Sequence, residues 1–244
     1  MYIKPQKNIK IEDCHFYHSF IFPNGKHVKG DWDLTQCVKE YLLNFDFNKT
    51  KVIDIGSASG YLSFYMESLG ANVTSFDMPN GSYWDVLKYP GYKPAAHDVY
   101  CERLYNSYNY AHEAFNSNCK VYRANIYDEL PKDMDMFDGA VFGTMLSHVR
   151  DPMLVLMNIL LKVKDFAILV NPFPDRKLSG SLFIPHANYF DRTWWCLDLS
   201  TIERMVNSIG WSVEKVSKVY PVQNVLLDTP KPIEYKSILI KRNS

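Results

Sequence analysis

The stretch VIDIGSASGYLSFYMESLGANVTSFD, residues 52–77, constrains the fold more than any other part of the chain. It opens on four residues that read as a buried strand. A turn of small residues, an amphipathic helical stretch, a second strand and a closing acid follow. Two strands joined through a helix must run parallel, and a parallel sheet is covered on both faces. The rest of the sequence repeats the alternation. Strand-like runs recur as KVIDI, NVTSF, KVYRA, GAVFG, FAILVN, WSVEKVS and YKSILIK. Helical segments at 61–69, in a long region ending near Phe115, and at 152–161 separate the first five. STIERMVNSIG is a further helix, with Ser200 as N-cap and Gly210 as its C-terminal stop.

These runs predict an α/β fold with a seven-stranded, mostly parallel sheet and helices on both faces. The last two strands lie too close for an intervening helix of ordinary length. They pair antiparallel, so the sheet is expected to end in a reversed edge strand. A chain of 244 residues that is 47% hydrophobic suits one domain over 1–244. Its N-terminal entry segment and helix occupy 1–48. FIFPNGKHVKGDWD reads as a hairpin or loop, and DLTQCVKEYLLNF has helical spacing at Leu34, Val38, Tyr41, Leu42 and Phe45. Two intervals exceed what the sheet requires, 78–118 and 173–199, and are expected to form lids over a substrate.

Charge narrows the partners. Lys and Arg number 27, Asp and Glu 27, so a large nucleic-acid footprint is not expected. The five cysteines are scattered without a Cys-x-x-Cys pair, which argues against a disulfide framework and fits a reducing compartment. No apolar run is long enough to span a bilayer. A cytoplasmic protein without a membrane partner is expected.

The turn DIGSASG sets the ligand. Gly56 and Gly60 permit close backbone approach, and Ser57, Ala58 and Ser59 are small. Asp77, at the end of the second strand, can accept hydrogen bonds from both hydroxyls of a ribose. A dinucleotide would satisfy all of this except Asp54, whose charge would repel a pyrophosphate at the helix N-terminus. The spacing is also Gly-x-x-x-Gly rather than Gly-x-Gly-x-x-Gly. A cationic ligand without phosphate fits better.

This stretch resembles the first motif of class I S-adenosylmethionine-dependent methyltransferases, acid-x-Gly-x-Gly-x-Gly on a Rossmann-like sheet. Ala58 stands where the middle glycine is usual. RANIYDELP is similar to the family's loop after the third strand, and FDGAVFGTMLSHVRDPMLVL to its fourth strand and the segment beyond. FYHSFIFPNGKHVKGDWD, LSHVRDP and YFDRTWWCLDLSTIERMVNSIGW resemble a subgroup related to the tRNA wobble-uridine carboxymethyltransferase. The resemblance implies S-adenosylmethionine as cofactor. It implies Asp54, Gly56, Ser57, Ala58, Gly60, Asp77, Met78, Asn125, Ile126 and Gly143 as its site, with Asp77 on the ribose and Asn125 and Ile126 at the adenine.

Methyl transfer needs a nucleophile aligned behind the methyl and, for a hydroxyl, a base. His148 follows the fourth strand and is the candidate base; the alternative is that it packs over the cofactor. Arg150 is a candidate clamp for an anionic acceptor, or with Asp151 a surface turn and an N-cap ahead of Pro152. His15 and His18 stand three apart without an obvious third ligand, so no metal site is expected. Tyr17 and His18 form a candidate entry strip over the pocket, or ordinary N-terminal packing. Tyr83 and Trp84 in the first insertion, and Asn171, Arg176, His186, Tyr189, Arg192 and Trp194 around the second, are the candidate acceptor residues. Tyr105, Tyr108 and His112 read as a packing stripe. The expected activity is O-methylation of a small polar metabolite, a sugar or a phosphorylated acceptor. The alternatives are methyl or carboxymethyl transfer to RNA, an NAD-dependent oxidoreductase, and a methyltransferase-like partner subunit without turnover.

Overall fold

The computed structural model describes residues 1–79, 85, 95–172, 180–184, 193–225 and 232–243. All seven expected strands form: β1 Lys51–Ile55, β2 Asn72–Asp77, β3 Lys120–Arg123, β4 Phe137–Gly143, β5 Val163–Pro172, β6 Trp211–Val216 and β7 Ile233–Arg242. Their order is β3-β2-β1-β4-β5-β7-β6, with the first five parallel and β7 antiparallel to β5 and β6. Helices α1 Tyr61–Ser68, α2 Ala95–Ala114, α3 Pro152–Leu160 and α4 Leu199–Asn207 cover the two faces.

Side-chain alternation divides each central strand between two cores. In β1, Val52 joins Leu62, Phe64, Met66 and Tyr108 on the α1 and α2 face, while Ile53 and Ile55 join Val155, Leu156, Ile159 and Val206 on the α3 and α4 face. A strand buried on both sides must be apolar at nearly every position. A polar residue within one therefore marks a special requirement, which is where Asp54 stands.

Four expectations need correction. The reversed strand β7 is interior rather than at the edge, because β5 pairs along one side of it while β6 and the strand Tyr220–Asn224 share the other. The helix expected over DLTQCVKEYLLNF is a single turn, Val38–Tyr41. Leu43 and Asn44 take left-handed φ values of 59° and 51°, which end it, although Leu34, Val38, Tyr41 and Leu42 still bury. The cap of α4 is Asp198, whose side chain accepts from the Thr201 amide; Ser200 instead donates to Asp198. The interval 78–118 is not all lid, since α2 fills its second half and buries Tyr108 and Ala111 in the core.

The entry segment reaches both sides of the sheet. Tyr2–Ile3 pairs antiparallel with β3, and Trp32–Asp33 pairs with Tyr220–Asn224. Between them the expected hairpin forms, Phe20–Ile21 against His27–Val28, with Gly25 at φ 79°. Among the described residues, no helix is long and apolar enough to cross a membrane. All five cysteines are free thiols.

Candidate functional site

Strand order reverses beside β1, so the carboxyl ends of β1 and β4 open a crevice there. The turn after β1 is held from below, where the Gly56 and Ser57 amides both donate to the Phe76 carbonyl, at 2.9 and 3.1 Å. Gly56 and Gly60 have φ of 74° and 86°. A Cβ on Gly60 would lie 2.5 Å from Phe64 and 2.9 Å from Tyr108, and one on Gly56 would lie 3.0 Å from Met145 Sδ in the turn after β4. Glycine at these positions is what lets the β1 turn sit against α1, α2 and the β4 turn at once.

Ala58, the departure from the glycine pattern, is also left-handed, at φ 49°. That conformation costs an alanine about 1–2 kcal/mol. It aims the Ala58 amide at Asp77, whose Oδ2 accepts it at 2.7 Å. Asp77 Oδ1 accepts from the Met78 amide at 2.8 Å. The acid is thereby locked beside the turn, with lone pairs left over, since a carboxylate has about four acceptor sites. Ser57 is buried and its Oγ has no hydrogen-bond partner.

Asp54 lies deeper than its sequence position suggests. It is 1% exposed, and Oδ2 accepts from Ser63 Oγ on α1 at 2.6 Å. Ser63 accepts from Ser75 Oγ at 2.8 Å, and Ser75 from the Tyr108 hydroxyl at 2.7 Å. A directed chain of hydroxyls thus runs from α2 through β2 and α1 to the acid. Burial pushes the Asp54 carboxyl up to about 7; Ser63 opposes the shift and the Asp77 charge adds to it.

Past β3, Ala124 N–H donates to the Asp77 carbonyl, which brings the Asn125 loop beside the acid. Asn125 is exposed and its side-chain oxygen accepts from the Tyr127 amide, while Ile126 is half-buried against the α3-side core. Gly143 ends β4 with Leu62 and Tyr41 packed against it. Thr144 follows at φ 65° and shares a 3.0 Å hydrogen bond with Tyr41.

The entry segment closes one side of the crevice. Tyr17, His18, Trp32, Tyr41, Gly143, Thr144 and Tyr235 line a narrow cleft. The His18 amide donates to Ser59 Oγ of the turn at 3.3 Å, and His18 Nδ1 is buried without a partner. Burial draws His18 down to about 3, so the ring is neutral. His15 does not join it; its Nε2 lies 2.9 Å from Asp31 instead. Among the described residues no group of three or more His, Cys, Asp or Glu is placed to hold a metal.

The other side of the crevice carries His148, which ends the helical turn Met145–His148 and is half-buried. Arg150 is engaged by Asp85: its amide donates to Oδ2 at 2.8 Å and its Nε to Oδ1 at 2.5 Å. The Tyr127 hydroxyl donates to the same carboxylate. Trp194 donates its amide to the Ser147 carbonyl and its ring N–H to the Asp85 carbonyl, both at 2.7 Å. Asp85 is thus tied to the residues just after β4 and to Tyr127 and Trp194. Asp151 caps α3 by accepting from the Leu154 amide. Asn171 Nδ2 donates to the Leu197 carbonyl, leaving Oδ1 buried and unpaired. Tyr83, Trp84, Arg176, His186, Tyr189 and Arg192 lie outside the described residues.

Sequence reasoning missed Arg123, at the end of β3 beside Asp77. The available signal was a charge at the inner end of KVYRA, at the two-residue spacing from Val121 that puts both on one sheet face.

No family model matches the sequence, and no curated protein does. Solved structures do match. The N-terminal domain of EvdMO1, crystallised with S-adenosylhomocysteine and D-fucose, superposes with a TM-score of 0.60 at 12% identity, over 96% of this chain and 93% of that one. The fold here is that of the class I methyltransferases. The Burkholderia thailandensis 1,6-didemethyltoxoflavin-N1-methyltransferase, with bound 1,6-didemethyltoxoflavin and S-adenosylhomocysteine, gives a TM-score of 0.55 at 12% identity, over 85% and 76% of the chains. The magnesium protoporphyrin IX methyltransferase of Synechocystis PCC 6803, with bound S-adenosylmethionine, gives 0.53 at 11% identity, over 86% and 78%.

Proposed function

We propose that the protein is an S-adenosylmethionine-dependent methyltransferase acting on an oxygen of a small polar metabolite, a sugar or an anionic acceptor. The observation that carries the reading is the pairing of a tight glycine turn with Asp77. The turn has an unpartnered buried Ser57 hydroxyl, the acid is locked to the Ala58 amide, and the whole lies at the carboxyl edge of the reversing sheet. These residues fit a nucleoside without phosphate. The neighbouring structures that carry S-adenosylmethionine or S-adenosylhomocysteine support the choice.

The cofactor supplies a methyl group on a sulfonium, an electrophile that needs no further activation. The protein's part is to hold the acceptor in line behind that carbon, keep water out and remove a proton. The walls at Tyr17, Trp32, Tyr41 and Tyr235 around the neutral His18 present aromatic faces and no side-chain charge, which suits the approach of an uncharged acceptor, although the cleft between them is too narrow to hold a sugar ring. The EvdMO1 domain, crystallised in the presence of D-fucose, supports a sugar as the acceptor class. An RNA acceptor draws no support from a chain with 27 basic and 27 acidic residues.

Calorimetry with S-adenosylmethionine, its carboxylated analogue and NAD tests the cofactor, and micromolar binding of the first alone is expected. Preference for NAD, or no binding, sinks the reading. A 14-dalton gain across a metabolite extract, read by mass spectrometry, then finds the acceptor. His148 is the proposed base. His148→Ala should lower turnover by about 10²–10⁴-fold and leave cofactor affinity unchanged. Equal loss of both would make it a cofactor-packing residue.

A further inference from the structure

Arg123 is the least satisfied charged group among the described residues. It ends β3, directly beside Asp77 in the parallel register. Only 7% of it is exposed. Its guanidinium lies over the rings of Tyr105 and Tyr108, 4.9 and 5.6 Å from their centroids, so α2 seals it from above. Nη1 reaches Asp77 Oδ2 at 3.7 Å, an ion-pair distance too long for a hydrogen bond. Nε and Nη2 are buried with no hydrogen-bond partner.

A guanidinium brings five N–H donors, and buried donors without acceptors are costly. Stacking on tyrosine offsets part of that and supplies no lone pair. A ligand that brings lone pairs to this edge would satisfy these donors. Asp77 is an acceptor only, and two of its roughly four acceptor sites are already taken by the Ala58 and Met78 amides. It can receive the hydrogens of a ribose diol but cannot serve the oxygens. A hydroxyl both donates and accepts, so full recognition of a diol needs a donor at the same place.

We infer that Arg123 is the second half of the ribose site, donating from its Nε and Nη2 edge to hydroxyl oxygens whose hydrogens Asp77 accepts. The inference rests on the cofactor reading given above. The acid and the guanidinium together carry no net charge, which matches a neutral diol. The lysine alternative would offer a point charge without the planar edge.

The test is calorimetry of S-adenosylhomocysteine and its 2′-deoxy and 3′-deoxy analogues with wild type, Arg123→Met and Arg123→Lys. Wild type should prefer the full diol over at least one deoxy analogue by more than about 100-fold, because that hydroxyl bonds to two charged groups and each bond is worth about tenfold or more. In Arg123→Met that preference should fall by about tenfold, leaving the share that Asp77 supplies. Arg123→Lys keeps a cation beside Asp77 and guards against misfolding. It should melt close to wild type and still lose most of the discrimination. Wild-type discrimination retained in either folded variant overturns the assignment. So does a weakening of all three ligands by one common factor, which would make Arg123 a positioning residue for the turn. If wild type binds none of the three ligands, the cofactor reading itself fails and this inference falls with it.

Discussion

Asp77→Ala should bind S-adenosylmethionine at least about 100-fold more weakly than wild type, and should melt several degrees lower. The affinity term follows from two hydrogen bonds to an ionised acceptor, each worth about 1.5–3 kcal/mol, where 1.4 kcal/mol is a factor of ten. The stability term has a different origin. Without Asp77 the Ala58 amide loses its acceptor, and nothing is left to offset that residue's left-handed backbone at φ 49°. Arg123, 7% exposed, is then left without its counter-charge. Removing one partner of a tight buried pair costs about 3–5 kcal/mol; a pair 3.7 Å apart, with Asp77 17% exposed, should lose about 2–3. Asp77→Asn separates the two effects. Its amide oxygen can still accept from Ala58, so the turn survives, while the charge that balances Arg123 is lost. Calorimetry and thermal melts on both variants read the result. Cofactor affinity within threefold of wild type in Asp77→Ala would remove the acid from the site.

The sheet was legible because its signal is periodic. The central strands carry apolar runs bounded by turn residues, and burial on both faces demands that pattern at Val52, Ile53 and Ile55 alike. The glycine turn was legible because left-handed backbone and close packing at Gly56 and Gly60 leave few alternatives. What escaped depends on contacts between residues far apart in sequence. The apolar spacing over 34–45 matched a helix, but two left-handed residues ended it after one turn without changing what it buries. The interior position of β7 follows from which strand reaches the β5 edge, and no local pattern encodes that. Arg150 carried the signature of an anion clamp, yet its partner Asp85 is 65 residues away in sequence. Arg123 was overlooked for the same reason, since its meaning comes from Asp77 and the α2 tyrosines rather than from its neighbours in KVYRA.

Asp54 yields the second large effect, on stability against pH. Its carboxyl is raised from 3.8 to about 7, chiefly by burial. Between about pH 4 and pH 7 the folded protein therefore keeps a proton that the unfolded chain has released. Stability must fall as pH rises through that window, by up to 1.36 kcal/mol per unit, and level off above it. The total is of order a few kcal/mol, a large fraction of a domain's net stability. Asp54→Asn keeps an acceptor for Ser63 Oγ at the end of the Tyr108–Ser75–Ser63 chain and has no charge to bury. Urea unfolding from pH 5 to pH 8 should show a declining curve for wild type and a flatter one for Asp54→Asn. The curves should lie within about 2 kcal/mol at pH 5, with the variant more stable by about 4 kcal/mol at pH 8. Parallel curves would mean that Asp54 stays ionised throughout. On the proposed cofactor reading, a cationic ligand at the turn recovers part of the penalty of burying the Asp54 charge when it binds.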